Sequence, residues 1–169
     1  APRLPEPLPK PNRRPFRPRL MISALHEMVT HPTVRLSIIV QSLCMGMLIT
    51  MLTMVQQIYD LVFDRADVFP FWFAASALVA GLASLLNATI VVRIGMRRIV
   101  TWVLFLQMVL AAGMAVASEL TLPHSTFFAL FVAWQATLNF GVGTTLGNLN
   151  AIAMEPMGHI AGMAASVIG

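Results

Sequence analysis

The sequence predicts an all-α membrane protein with four complete transmembrane helices and the beginning of a fifth. Of its 169 residues, 57% are hydrophobic and 11% are charged, whereas soluble domains carry about 25% charged residues. Asp, Glu, Lys and Arg are absent from four long runs, and each run supplies the ~20 apolar residues that cross a bilayer. The predicted spans cover about residues 34–57, 69–92, 99–117 and 126–149, followed by an incomplete span at 160–169.

The segment before the first span divides into two parts. Residues 1–19 contain seven prolines and six basic residues, so they cannot build a hydrophobic core, and we predict an extended cytoplasmic linker. Residues 20–33 alternate apolar side chains with His and Glu and contain Pro32 near their end, which is typical of a short juxtamembrane helix in the membrane interface. The remainder, residues 34–169, is predicted to form a partial transmembrane bundle.

The charges of the connections predict the topology. Residues 1–35 carry seven basic residues and the turn at 93–98 carries three, whereas the connections on the other side carry only Arg65. Lys and Arg concentrate in the cytoplasmic loops of membrane proteins. The N-terminal segment and the 93–98 turn are therefore predicted to be cytoplasmic, and the first and third spans run outward.

Other classes of protein receive little support. The net charge of +4 does not indicate nucleic-acid binding, because the basic residues flank the spans and do not form one face. The four histidines are scattered without metal-ligand spacing, and no clustered catalytic constellation is present, so neither a metal site nor an enzyme is predicted. Cys44 is the single cysteine and cannot form an intrachain disulfide. No cofactor is predicted.

The turn at 93–98, Arg-Ile-Gly-Met-Arg-Arg, joins two spans through a glycine and a basic cluster. It resembles the Gly-x-x-x-Asp-Arg-x-Gly-Arg-Arg loop signature of the major facilitator superfamily, which lies between the second and third helices of each half. The residues that carry the resemblance are Arg93, Gly95, Arg97 and Arg98, with Met96 between the glycine and the arginine pair. Ala88 and Val92 replace the leading Gly and the Asp, as in the weakened copy typical of the C-terminal half. The alternative is that these arginines are plain topogenic charge.

A second motif lies at residues 150–169. It resembles the junction between the tenth and eleventh helices of the bicyclomycin-resistance type drug:proton antiporters, with Leu149 where that family often has proline. The matching residues are Pro156, Gly158, His159, Ala161, Gly162 and Ser166. The resemblance covers nearly the whole chain and implies part of a C-terminal six-helix bundle, from the linker after helix six to the start of helix eleven. The chain begins without an initiator Met and stops within a span, so we expect a fragment whose partner is the missing N-terminal half.

Polar side chains within the spans are the candidates for a substrate-binding site, because a polar group in lipid is costly unless it is partnered. Gln135 and Asn139 lie one turn apart in the fourth span, and the first span offers Thr50 and Gln57. Met54 of the first span is added because a flexible, polarizable side chain suits varied apolar ligands. The resemblance implies that the first and fourth helices of each half line the central cavity. The alternative is that the amides only join helices, through hydrogen bonds worth about 0.6 kcal/mol each.

The resemblance implies a secondary transporter that exports drugs or other small amphipathic compounds by alternating access, driven by a proton gradient, in the bacterial inner membrane. Its partners would be the lipid bilayer, the small-molecule substrate and the N-terminal half. No ionisable residue lies within a predicted span, so the proton-coupling acid is expected in that N-terminal half. The alternative from another class is a small oligomeric membrane protein with a structural or accessory role.

Overall fold

A computed structural model describes residues 18–168, in which every regular element is helical. The α-helices are α1 (Pro18–Thr30), α2 (Pro32–Gln57), α3 (Phe69–Ile94), α4 (Met96–Glu119), α5 (His124–Met154) and α6 (Ala161–Ile168). Four helical segments within the described range are long and apolar enough to cross a membrane: Pro32–Val62, Ala66–Ile94, Met96–Glu119 and His124–Ile160. The predicted all-α membrane class is confirmed. Most of the predicted linker, residues 1–17, lies outside the described residues, as does residue 169.

The first membrane-crossing segment is longer than the predicted span 34–57. It begins at Pro32, where a proline removes only an N–H that has no partner within the helix. After Gln57 the chain continues into a π-helical turn, Ile58–Val62, before it bends toward α3. Burial explains this extension, because the added turn carries the fully buried ring of Tyr59 into the core between α2 and α5.

A single residue, Gly95, separates α3 from α4. Its backbone has φ 89° and ψ 140°, a conformation that is accessible essentially to glycine alone. The Gly95 N–H donates to the Val91 carbonyl at 2.9 Å, and the Gly95 carbonyl accepts from Ile99 N–H at 3.2 Å. Both helix ends are therefore hydrogen-bonded through the glycine, which brings the basic residues on either side of it to the same end of the bundle.

Helix α5 is the centre of the bundle. α2, α3 and α4 each pack extensively against it, whereas α3 and α4 make few contacts with each other. α5 runs from His124 to Met154 and so exceeds the predicted span 126–149 at both ends. Residues 149–154 contain neither glycine nor proline and continue the helix. The chain then tightens into a 3-10 segment, Glu155–Ile160, that begins just before Pro156.

Helix α1 docks onto the far end of α5. Ala24 and Met28 of α1 are buried against Ala153 and Met157, which lie where α5 passes into the 3-10 segment. On the same helix, Glu27 Oε1 lies 2.9 Å from His159 Nε2 of the 3-10 segment. Helix α1 is therefore attached to the bundle through Ala24 and Met28, while its apolar Ile22, Leu25 and Val29 are exposed.

Candidate substrate-binding site

The predicted site residues of α5 line a small cleft at the middle of the bundle. Asn139 lies fifteen residues from each end of α5, which places it near the midplane of a helix that crosses the membrane. The cleft has a volume of about 10 Å³, close to the minimum that holds one water molecule. Its walls come from α2, α3 and α5: Leu48, Met51, Leu52, Val55, Phe73, Gln135, Leu138, Asn139 and Val142.

Gln135 is only 2% exposed and has a partner on the neighbouring segment. The Tyr59 hydroxyl donates to Gln135 Oε1 at 3.1 Å. Around this bond the Tyr59 ring makes edge-to-face contacts with Phe128 and Phe131, at centroid distances of 5.5 and 5.9 Å. Gln135 thus joins α5 to the extension of α2 within an aromatic cluster, an arrangement that fits the helix-joining role as well as a place in the cleft wall.

Asn139 is half-buried, and its amide is held along the helix. Its Nδ2 donates to the Gln135 backbone carbonyl at 3.0 Å. This bond fixes the orientation of the amide at the wall of the cleft without joining α5 to another helix. Of the two predicted α5 residues, Asn139 is therefore the one with fewer structural contacts to lose when a ligand approaches.

The structure does not bring the α2 residues into the same cleft. Thr50, Met54 and Gln57 are all exposed. Thr50 and Gln57 lie on the side of α2 away from Val55, which packs against α5, and Met54 lies about 100° around the helix from Val55. The Thr50 hydroxyl donates to the Gly46 carbonyl at 2.9 Å, within its own helix. In the described part of the chain, the two predicted groups of site residues face different directions.

Two polar contacts between α3 and α5 were not predicted from the sequence. Asn87 and Asn148 form a reciprocal amide pair, with donor–acceptor distances of 3.3 and 2.8 Å. The Ser84 hydroxyl donates to the Gly143 carbonyl at 2.9 Å. A Cβ on Gly143 would collide with the backbone carbonyl of Ala80. Each of these residues has a small or amide side chain in an apolar helix, and this marked it in the sequence as a possible helix contact. The sequence did not show which residues pair, because the partners lie about 60 positions apart.

The basic turn lies beside the end of α5. Arg97 at the start of α4 forms an ion pair with Glu155 at 3.7 Å, and both side chains are exposed. Arg93 and Arg98 flank it and are exposed as well. The Gly95 turn therefore positions one arginine to connect α4 with the end of α5 and leaves the other two free to face lipid headgroups or solvent.

These features define a class of protein: a multi-pass helical membrane protein with a central helix, polar groups at mid-membrane depth and a basic turn at one end. The family model of the Major Facilitator Superfamily matches residues 1–169, and the chain belongs to this superfamily of membrane transporters. No curated protein and no solved structure matches the chain.

Proposed function

We propose that this chain is the C-terminal half of a proton-coupled exporter of drugs or other small amphipathic compounds in the bacterial inner membrane. Membership of the superfamily supports transport. The finer proposal is supported by the resemblance of residues 150–169 to the drug:proton antiporters and by the placement of polar side chains on α2 and α5. The proposed site residues are Gln135, Asn139, Thr50, Met54 and Gln57.

The main support for the proposal is the exposed polar face of α2, which is formed by Thr50 and Gln57. Gln57 and Thr50 point away from the chain's own core, although they belong to a segment that crosses the membrane. An exposed glutamine amide would lose its hydrogen bonds in hydrocarbon. A second half that faces α2 across a water-containing cavity supplies them, because secondary transporters place their binding sites between two repeated halves.

Asn139 supports a site near the midplane of the membrane. Mid-membrane sites between halves are typical of secondary transporters, and Asn139 occupies the midpoint of α5. Its cleft has room for about one water, whereas drug-sized ligands occupy pockets of roughly 300–1,000 Å³. We infer that this arrangement is closed around Asn139 and that a shift of α2 relative to α3 and α5, which form the walls of the cleft, enlarges it for substrate.

Proton coupling would require an ionisable side chain within the membrane-spanning part of the N-terminal half. A proton relay within the membrane needs an ionisable side chain, and residues 36–59, 68–92, 99–118 and 120–154 contain no Asp, Glu, Lys or Arg. The coupling acid would therefore lie in the N-terminal half. This chain would contribute the substrate-facing wall and the cytoplasmic basic turn.

The full-length transporter reconstituted into liposomes tests the proposal. A pH indicator in the lumen reports whether a drug gradient drives proton movement. Gln57→Leu removes an amide from the face that Gln57 shares with Thr50, the proposed cavity wall. Gln56→Leu makes the same change at the exposed neighbour, whose side chain points about 100° away around α2. We expect drug-driven proton movement in the unaltered protein, a several-fold loss in Gln57→Leu and little change in Gln56→Leu.

Two results would overturn the proposal. If no amphipathic drug moves protons through the unaltered protein while it remains folded, the exporter function is wrong. If Gln56→Leu and Gln57→Leu reduce transport equally, the polar face of α2 is not the cavity wall.

A further inference from the structure

A groove of about 410 Å³ lies between α2 and α4, at the end of the bundle where both helices begin. The buried side chains of Leu149 and Ile152, in the last two turns of α5, form its floor. α2 and α4 each pack against α5 and make few contacts with each other. Leu36 on the wall of the groove is 63% exposed, so the groove is open to its surroundings.

The lining changes from polar to apolar along the groove. Pairs of residues, one from each helix, line three successive levels: Thr33 and Arg97, then Ser37 and Thr101, then Val40 and Leu104. Seven residues of helix, about 10 Å, separate the first level from the third. The first level lies at the start of two membrane-crossing helices, and one leaflet contributes about 15 Å of hydrocarbon. The groove therefore extends from the membrane interface into a single leaflet.

Arg97 supplies an accessible positive charge at the mouth of the groove. Its side chain is 69% exposed, and its nitrogen lies 3.7 Å from Glu155, which is longer than a hydrogen bond. A guanidinium carries five N–H donors in a plane that suits phosphate oxygens, so Arg97 can bind a phosphate and remain beside Glu155. Arg93 and Arg98 of the same turn are exposed as well. Three arginines thus outnumber one carboxylate here, and the mouth favours an anion.

We propose that this groove binds an anionic glycerophospholipid, with its phosphate at Arg97 and one acyl chain between α2 and α4. The charge, the hydroxyl level and the apolar level follow the order of phosphate, ester and acyl chain in such a lipid. Basic pockets between transmembrane helices bind anionic headgroups on the cytoplasmic side, where the basic turn is predicted to lie. A free phosphate would leave the apolar level unfilled, and a membrane-crossing helix would need a groove about 30 Å long. The lipid site does not depend on the proposed transport function.

The probe is a phosphatidylglycerol that carries a photoreactive diazirine in one acyl chain. The full-length protein in detergent is irradiated with a trace of this lipid, and peptide mass spectrometry locates the label. Dioleoyl phosphatidylglycerol and dioleoyl phosphatidylcholine, which share their acyl chains and differ in net charge, are the competitors. We expect label within residues 36–40 and 100–104, and about fivefold better competition by the anionic lipid, the effect of one basic residue near a membrane surface. Inorganic phosphate should not compete.

Arg97→Leu removes the charge at the mouth and should abolish the preference for the anionic lipid. Arg98→Leu is the matched control: it removes an exposed charge whose side chain points about 100° away around α4, and it should keep the preference.

Several results would overturn the proposal. Equal competition by the two lipids in the unaltered protein would do so, and this comparison needs no variant to fold. Label spread evenly over all outward-facing helix surfaces would indicate only the general lipid shell, and absence of label from the groove would indicate that another segment of the full-length protein covers it. Competition by inorganic phosphate would indicate a site for the free anion. Equal effects of Arg97→Leu and Arg98→Leu would show that Arg97 does not hold the headgroup.

Discussion

The two sides of α5 are packed in different ways at the same depth. Toward α3, the backbone of Gly143 approaches so closely that no Cβ fits, and the Asn87–Asn148 pair joins the two helices. Toward α4, a Cβ on Gly141 would make only ordinary contact with Val103 at 3.5 Å. Within residues 18–168, no side-chain hydrogen bond joins α4 to α5. We call the α3-facing side of α5, which contains Gly143 and Asn148, its closed side. We call the α4-facing side, where a groove of about 250 Å³ is lined by Gln107, Thr137 and Phe140, its open side.

This difference indicates where the bundle is held and where it can change. Small residues and amide pairs are the usual means of fastening helices in membranes, because lipid is as apolar as a leucine side chain and gives no hydrophobic drive for association. The α3–α5 side has both. The α4–α5 side relies on apolar contacts and, at its end, on the exposed ion pair between Arg97 and Glu155. We therefore expect α3 and α5 to behave as one unit and α4 to be the more adjustable helix.

The first prediction concerns orientation, and its expected effect is all or none. The basic residues indicate that the N-terminal segment and the 93–98 turn lie on the cytoplasmic side of the membrane. In a variant that lacks Cys44, cysteines introduced at Ala66 and Ser118 should react with an impermeant thiol reagent from outside. A cysteine at Met96 should react only after the membrane is permeabilised. Reaction at Met96 in intact cells would contradict the orientation.

The second prediction concerns a substitution that disrupts the packing of α5 against α3. Gly143→Ala forces a methyl group into the Ala80 backbone, and overpacking of this kind costs about 1–3 kcal/mol. Gly141→Ala, two residues away on the open side, should be neutral or stabilising by up to about 1 kcal/mol, because alanine favours the helix. Thermal unfolding of the purified variants in detergent measures both. Equal losses of stability would show that the two sides do not differ.

A third prediction addresses the amide pair of the closed side. Asn87→Leu and Asn148→Leu each remove one partner, and their double variant completes a thermodynamic cycle. We expect a coupling free energy of about 0.6–1.7 kcal/mol, the range found for hydrogen bonds between membrane helices. Asn150→Leu changes an exposed amide nearby and should couple to neither. A coupling free energy indistinguishable from zero would show that the Asn87–Asn148 pair does not stabilise the contact between α3 and α5.

The smallest expected effect on stability is at the ion pair of the open side. Exposed pairs contribute about 0–1 kcal/mol, so Arg97→Ala should leave membrane abundance near normal. If the pair holds α4 in one transporter state, transport by the full-length protein should fall, and exchanging the charges in Arg97→Glu with Glu155→Arg should restore it. Arg98→Ala, which loses a neighbouring exposed charge, is the control. A fall in abundance proportional to the fall in transport would support plain topogenic charge.

The sequence was sufficient to predict the class of fold, because charge-free runs and glycine turns are features of neighbouring residues. A charge-free run predicts a helix wherever it lies, and the glycine between two basic flanks predicts a tight turn. The ends of the helices were less predictable. α2 gained a π-helical turn because the Tyr59 ring packs against Phe128 and Phe131, residues more than sixty positions away.

The site was only partly predictable for the same reason. Periodicity indicates which residues share a face, so Gln135 and Asn139 were expected together, and the structure lines one cleft with both. Periodicity does not indicate which neighbouring helix a given face contacts. Thr50 and Gln57 share a face of α2, but that face points away from α5. Gln107 was visible as a lone amide in an apolar helix, and only the packing of α4 on α5 revealed that its donor is buried.

Asn139 is proposed to face the transported substrate, and a drug-resistance profile tests this most directly. Asn139→Ala in the full-length protein is compared with Asn150→Ala across several chemically distinct drugs, and resistance is normalised to protein in the membrane. Loss of one hydrogen bond, about 1 kcal/mol, should weaken export of drugs that use the amide by roughly fivefold and spare the others, while Asn150→Ala leaves the profile unchanged. Equal loss for every drug would contradict the claim and assign Asn139 to helix packing.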